Sequence, residues 1–171
     1  SIPVEYDSYL RRNVLKSIRV CSLSLALFAF AAAAQAQVKV SAEPWQKKSL
    51  TGLNSLRYGI AYDPTGALGK QVAPAMKDLK VATKSVDLKS DGKVLLNDNE
   101  GRLKVYVDEK REEGKNWVGI SLEQKARLSR LEAVTFDTVT YKIGTLCPAG
   151  NTNAALKELL AEFVKDFQGS R

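Results

Sequence analysis

The chain has 171 residues, a formal charge of +7, 44% apolar and 26% charged residues, two Cys and no His. That length suits one domain and not two, and the composition excludes a collagen-like fibre or a globally disordered chain. Without His, no Ser-His-Asp or Cys-His site and no His-ligated zinc or haem can be built from this chain.

Arg11, Arg12, Lys16 and Arg19 precede an uncharged run from Val20 to Ala34, and Ala34-Gln35-Ala36 follows as a small-x-small pattern. A basic region, an apolar core and an A-x-A-like site make a bacterial secretory signal. The charges before the core orient the N-terminus inside. Cys21 opens the apolar run instead of following it, which argues against a lipoprotein. Two fates remain open: cleavage after Ala36, or retention of residues 14–36 as an inner-membrane anchor. Fifteen apolar residues span ~22 Å as a helix, short of the ~30 Å hydrocarbon core. The expected organisation is a signal peptide or uncleaved anchor over 1–36, a polar linker over 37–49 and a periplasmic domain over 50–171. Past the targeting segment the charge is +5.

In the linker, Trp45 either caps the edge of the core or anchors the chain at a membrane interface or on a partner. Lys47 and Lys48 beside it would lie near headgroups. Leu56, Tyr58, Ile60 and Tyr62 alternate with Arg57, Gly59 and Ala61, which predicts a half-buried strand closed by a turn at Asp63-Pro64-Thr65-Gly66. Leu68, Val72, Met76 and Leu79 recur at helical spacing, and Pro74 should kink or split that helix. Val86 and Leu88 suggest a second strand. Ser90-Asp91-Gly92 reads as a turn, and Lys93 to Leu96 as a short strand.

Leu103, Val105 and Val107 alternate with charged or polar neighbours, and a charged loop from Asp108 to Lys115 follows. From Val118 to Arg130 the period of two persists, so a long strand is expected, with a helix over Leu122–Leu131 as the competitor. Val134 to Thr145 is rich in Val, Thr, Phe, Tyr and Ile, a strand by composition. After a break at Leu146–Gly150, Asn151, Thr152 or Asn153 can cap a helix whose stripe is Leu156, Leu159, Leu160, Phe163, Val164 and Phe167, with Gly169 as its C-terminal cap. The fold class is α+β: an antiparallel meander with a helix after the first strand and a closing amphipathic C-terminal helix, preceded by the N-terminal signal or anchor helix.

Motifs that carry chemistry do not survive inspection. Gly66-Ala-Leu-Gly69-Lys70 lacks the four-residue spacing and the Ser/Thr of a phosphate loop. Asn97-Asp-Asn-Glu-Gly101 would place Leu96 and Val107 at calcium-ligand positions, where neither can coordinate. The carboxylates Asp108, Glu109, Glu112 and Glu113 lie in a charged loop, and Asp137 should pair with Arg127 or Arg130. Cys147 reads as a small buried hydrophobe. No catalytic, cofactor-binding or metal-ligating residue is expected, no cofactor is implied, and the basic series Lys77, Lys80, Lys84, Lys89 and Lys93 reads as a solvated face. Tyr106 and Trp117 point away from the apolar face of their strands. If Leu103–Val107 pairs with Val118–Leu122, they become diagonal neighbours on an open sheet face, a docking patch.

The layout of Leu53-Asn-Ser-Leu56-Arg-Tyr58, Val118-Gly-Ile120-Ser-Leu122-Glu-Gln-Lys-Ala126-Arg-Leu128-Ser-Arg130, Phe136-Asp-Thr-Val-Thr-Tyr141 and the stripe from Leu156 to Phe167 resembles small secreted bacterial proteins of unknown function. The resemblance implies no catalytic residues. The expected function is a non-catalytic periplasmic accessory or structural subunit that docks on a membrane protein complex or envelope protein, photosynthetic or respiratory complexes being conceivable hosts. Candidate contacts are Trp45, Lys47, Lys48, Tyr106 and Trp117. The alternative is a soluble periplasmic module holding a small or lipidic ligand between sheet and helices. Nucleic acid is not an expected partner.

Overall fold

Alternation of apolar residues builds one open sheet, and helical stripes cover one of its faces. The computed structural model describes residues 38–63, 66–127 and 135–171, all in a unit from Gln37 to Arg171. The expected signal or anchor segment over 1–36 lies outside the described residues. Among the described residues no helix is long and apolar enough to cross a membrane.

The strands are β1 (Lys39–Val40), β2 (Ser55–Tyr62), β3 (Ala82–Ser85), β4 (Glu100–Glu112), β5 (Lys115–Arg127) and β6 (Thr135–Pro148). The helices are α1 (Pro44–Ser49), α2 (Gly69–Lys77), α3 (Leu88–Asp91) and α4 (Thr152–Gly169), the last entered through a 3-10 turn at Ala149–Asn151. The fold is mixed α+β, an open six-stranded sheet in the order β1-β6-β5-β4-β2-β3 with a C-terminal helix.

β4, β5 and β6 form an antiparallel meander. The first strands depart from the expected all-antiparallel pattern: β2 runs parallel to both β3 and β4. The physical reason is the crossover through α2, since a strand-helix-strand path returns the chain in the same direction.

Six local expectations are corrected. The polar lead-in, expected as a linker, pairs Lys39 and Val40 with Thr145 and Gly144. It then forms α1, where Pro44 occupies the first turn and Glu43 N donates to Gln46 Oε1 at 2.8 Å. The second strand ends at Ser85; Leu88 belongs to α3, because the Asp87 side chain accepts from Lys89 N at 3.2 Å and starts a helix there. Lys93–Leu96 is irregular, not a strand. The charged loop is a β-hairpin, with Glu112 opposite Lys115 and Gly114 at φ +69° in the turn. Pro74 does not split α2, and the chain leaves α4 at Ser170 with φ −89°, so Gly169 makes no left-handed cap. The long strand prevails over the competing helix up to Arg127; residues 128–134 lie outside the described residues.

The helical side of the sheet carries the core. Leu103, Val105 and Val107, Val118, Ile120 and Leu122, and Tyr141, Ile143 and Cys147 face it from the meander. Val72 and Met76 of α2 and Leu156, Leu159, Leu160, Phe163 and Phe167 of α4 close it. Each such side chain taken out of water contributes about 1.5–3 kcal/mol before chain entropy is counted. Phe163 meets Tyr141 edge-on at 5.5 Å and Phe167 at 5.9 Å. The Tyr141 hydroxyl, the one polar atom of that cluster, donates to Asp166 at 3.0 Å. Burial, then the negative charge of Asp166, pushes the Tyr141 phenol far above its ordinary value.

Candidate docking face

The other side of the sheet has two halves. One is roofed by α3 and the segment after it, and a guanidinium lies underneath. Arg102 of β4 is 1% exposed. Its Nε donates to Asp91 Oδ2 at 2.7 Å, Nη1 to Glu123 and Asp137 at 3.1 Å each, and Nη2 to the carbonyls of Asp91 and Val94. All five guanidinium donors are thereby used, so nothing is left for a ligand. Arg57 of β2 grips Glu100 with two bonds, at 2.8 and 3.0 Å, and reaches Asp91 at 3.0 Å. Lys104 adds an ion pair to Glu123. Burial by itself would raise the Asp91 pKa, but hydrogen bonds from Arg102 and Arg57 outweigh it and hold the carboxyl below its ordinary value. Glu100 is lowered in the same way, by Arg57 and Asn97 against burial.

Asp137 is therefore structural: it accepts from Arg102 and from the Leu96 amide, while the side chains of the expected partners Arg127 and Arg130 lie outside the described part of the structure. Three of its network partners come from β4, β5 and α3, so no local spacing points to them.

The second half is a single register row across five strands. Tyr62 of β2 stands opposite Tyr106 of β4, Tyr106 opposite Gly119 of β5, Gly119 opposite Gly144 of β6, and Gly144 opposite Val40 of β1. The two glycines make room for rings. A Cβ on Gly119 would lie 2.3 Å from Tyr106 Cζ, and one on Gly144 would lie 2.5 Å from Trp117 Cζ2. Tyr106 thus lies across Gly119, and Trp117 across Gly144, which flattens both rings onto the sheet. The row presents exposed Tyr62 at one end and exposed Val40 at the other, 52% and 43%.

The five expected contacts fall into two groups on opposite sides of the sheet. Tyr106 and Trp117 share the open side as diagonal neighbours, in the register the sequence pattern suggests. Trp117, however, is buried, with the Arg111 guanidinium 5.0 Å from its ring centroid, and its indole N–H has no hydrogen-bond partner among the described residues. It is a platform, not a protruding anchor. On the helical side, Lys47 bonds Asp166 of α4 at 2.9 Å, while Lys48 is exposed. Trp45 is 62% exposed and does not cap the core. Sequence reasoning missed Tyr62 and Val40. The register shift between Ile60 and Tyr62 puts Tyr62 in line with Tyr106, and nothing in an alternating pattern announces such a shift.

The space between sheet and helices is filled by the buried side chains named above. Cys147 is buried, its thiol donating to the Asn116 carbonyl at 3.6 Å, and burial raises its pKa against a smaller opposing effect of Thr152. Among the described residues no three His, Cys, Asp or Glu are grouped to hold a metal ion.

No protein-family model matches the chain, and no curated protein matches it. Two solved structures of PelC from Paraburkholderia phytofirmans are similar to it. A dodecamer of a point variant is 13% identical with a TM-score of 0.40, covering 79% of this chain and 98% of that one. A second dodecamer is 14% identical with a TM-score of 0.39, covering 77% and 96%.

Proposed function

We propose that this chain is a non-catalytic accessory module of the bacterial envelope that docks on a membrane-associated partner protein through the open side of its sheet. The row Tyr62–Tyr106–Gly119–Gly144–Val40 carries this reading. Its glycines leave a flat strip in which aromatic rings lie parallel to the sheet. A flat apolar strip with a polar surround suits protein contact better than it suits a small ligand, which needs concavity. Tyr and Trp are the residues that most often dominate such contacts, because they bring large area at small entropic cost. The basic N-terminal region and apolar run would deliver the module to the periplasmic face of the inner membrane.

The test is site-specific photo-crosslinking of the full chain in its native cells. A photoreactive residue at Tyr62 or Val40 is expected to give one discrete adduct of the same partner, and at Lys84 of β3 none. Monomeric protein at both row positions, with unchanged expression, would remove the docking reading.

A further inference from the structure

The two edges of the sheet are finished differently. At one, β3 is four residues long, carries exposed Lys84 and lies just after Lys80 at φ +56°. A short edge bearing lysine resists strand addition. At the other, β1 pairs with β6 only at Thr145 and Gly144, whereas β6 is fourteen residues long and paired with β5 as far as Thr135. Below Gly144 the outer side of β6 therefore has no neighbouring strand among the described residues. α1 reaches that side at Thr140, whose carbonyl accepts from Ser49 Oγ at 3.4 Å. Among the described residues, none outside β5 bonds the backbone of Thr135–Val139.

An edge strand presents a row of unpaired N–H and C=O groups, which proteins blunt with Lys, Pro, inward charges or bulges. The stretch Thr135-Phe136-Asp137-Thr138-Val139 holds no Lys, Arg, Pro or Gly. Thr, Phe and Val favour strands. Its one charge, Asp137, is compensated by Arg102, and the register shift of β5 against β6 falls beyond it, past Val139. Apolar side chains gather at this edge. Phe136 and Val139 are exposed, and so are Val94 and Leu95 on the segment that the Leu96 amide ties to Asp137 at 3.4 Å. They are four of the eight exposed large hydrophobics among the described residues, and β3 has none, so the β6 edge is the one whose covering would remove apolar surface from water.

The chemistry of the edge names its occupant. Unpaired ladder groups are satisfied along their length by an extended strand, and neither a helix nor a hydrocarbon chain offers the matching row. Every copy of the chain supplies such a strand in β6 itself, while its β1 and β3 edges are only two and four residues long. Two β6 edges meeting about a two-fold axis close on each other, whereas β6 on β3 would leave another edge open and propagate. With no Lys or Arg on the segment, two positively charged domains can approach along it. We infer that Thr135–Val139 of β6 pairs antiparallel with the same segment of a second copy, joining the two sheets into one. Directly opposite residues share a face, so the axis passes through a residue. Centred on Asp137, it would oppose two carboxylates. Centred on Phe136, it would leave Val139 outside the overlap. Centred on Thr138, it sets Thr138 against its own copy, a favourable pair, and Asp137 against Val139. The segment shares no residue with the docking row, so the two readings stand separately.

The test is thiol cross-linking of the full chain in its native envelope fraction, with Cys21 replaced by Ser and buried Cys147 left in place. Under copper-phenanthroline oxidation, Thr138→Cys is expected to give a reducible band at twice the chain mass as its main product. Phe136→Cys should give at least fivefold less, because its two copies would lie ~14 Å apart along the paired strands, beyond the ~4.4–6.8 Å between the Cα atoms of a disulfide. Lys84→Cys on β3 should give none. Adding Val139→Lys, a charge at an exposed edge position, should lower the Thr138→Cys dimer at least fivefold. Sedimentation of the unsubstituted chain in mild detergent should show a two-chain species, and Val139→Lys should convert it to single chains. A single-chain species for the unsubstituted chain at every concentration would overturn the inference. So would equal dimer from Phe136→Cys or Lys84→Cys, or a dimer that Val139→Lys leaves intact. A Thr138→Cys adduct of another mass would also overturn it, in favour of a strand from a different protein.

Discussion

The two sides of the sheet are held by different forces. The helical side is closed by hydrocarbon: Phe163, Phe167, Leu103 and Ile120 are all fully buried there. The opposite side, under α3, is closed by ion pairs around one buried guanidinium. A hydrocarbon layer tolerates some misfit, because dispersion and burial have no preferred direction. A guanidinium with five occupied donors tolerates none, because every lost partner leaves a desolvated charge. The first arrangement supplies bulk stability, and the second fixes where α3 and its following segment lie.

This contrast can be broken in order of expected effect. Phe163→Ala should destabilise by about 3–5 kcal/mol, the usual cost of a large core truncation. An unchanged urea midpoint would show that the α4 stripe does not face the core. Arg102→Leu should cost about 3 kcal/mol, at the lower end of the range for breaking a buried pair, because Asp91, Glu123 and Asp137 retain some solvent contact. Hydrogen exchange should then rise in Asp87–Leu96 and not in α4. The sharper variant replaces Arg102 by Met and Asp91, Glu123 and Asp137 by Leu together. Much of the stability should return, since buried ion networks are replaceable by packed apolar groups. No matching rescue should exist on the Phe163 side.

Gly144→Ala should cost about 1–3 kcal/mol, because its Cβ would lie 2.5 Å from Trp117 and 3.0 Å from the Val118 carbonyl. A shift in tryptophan emission should accompany it. Gly119→Ala should cost less, since Tyr106 is only half-buried and can swing away. No change in emission for Gly144→Ala would mean that the indole does not lie on Gly144.

The smallest effect is that of pH. Asp91 and Glu100 titrate below their ordinary values of 3.8 and 4.5 in the folded chain. Carboxyls depressed by folding add stability that is present above their unfolded values and is lost as pH falls through the folded ones. Urea midpoints should be level from pH 7 to about 5, then fall below pH 4.5 and continue falling below 3.8. Arg57→Gln should flatten that slope. An identical slope in the variant would place the acid-sensitive groups elsewhere.

The α4 stripe, the alternation of β4 and β5 and the pairing of Val107 with Val118 were all legible, because burial on one face imposes its period directly on the residues. The α3 helix was not, since it depends on Asp87 capping four residues that look like a turn. The docking row was half legible. Tyr106 and Trp117 stood out as aromatics on a polar face, whereas Tyr62 joins them only through a register shift, and Val40 only by pairing with a strand about a hundred residues away.

Periodicity and composition by themselves determined the kind of each major element, the identity of the core residues and the absence of any site that needs His. They act locally, so a few neighbours suffice to read them. The parallel pairing of β2 with β3 and β4, the five-bonded Arg102 and the short pairing of β1 on β6 were decided by the tertiary structure. Each joins residues far apart in the chain, and an alternating strand or a charged side chain carries no mark of which distant partner it will meet.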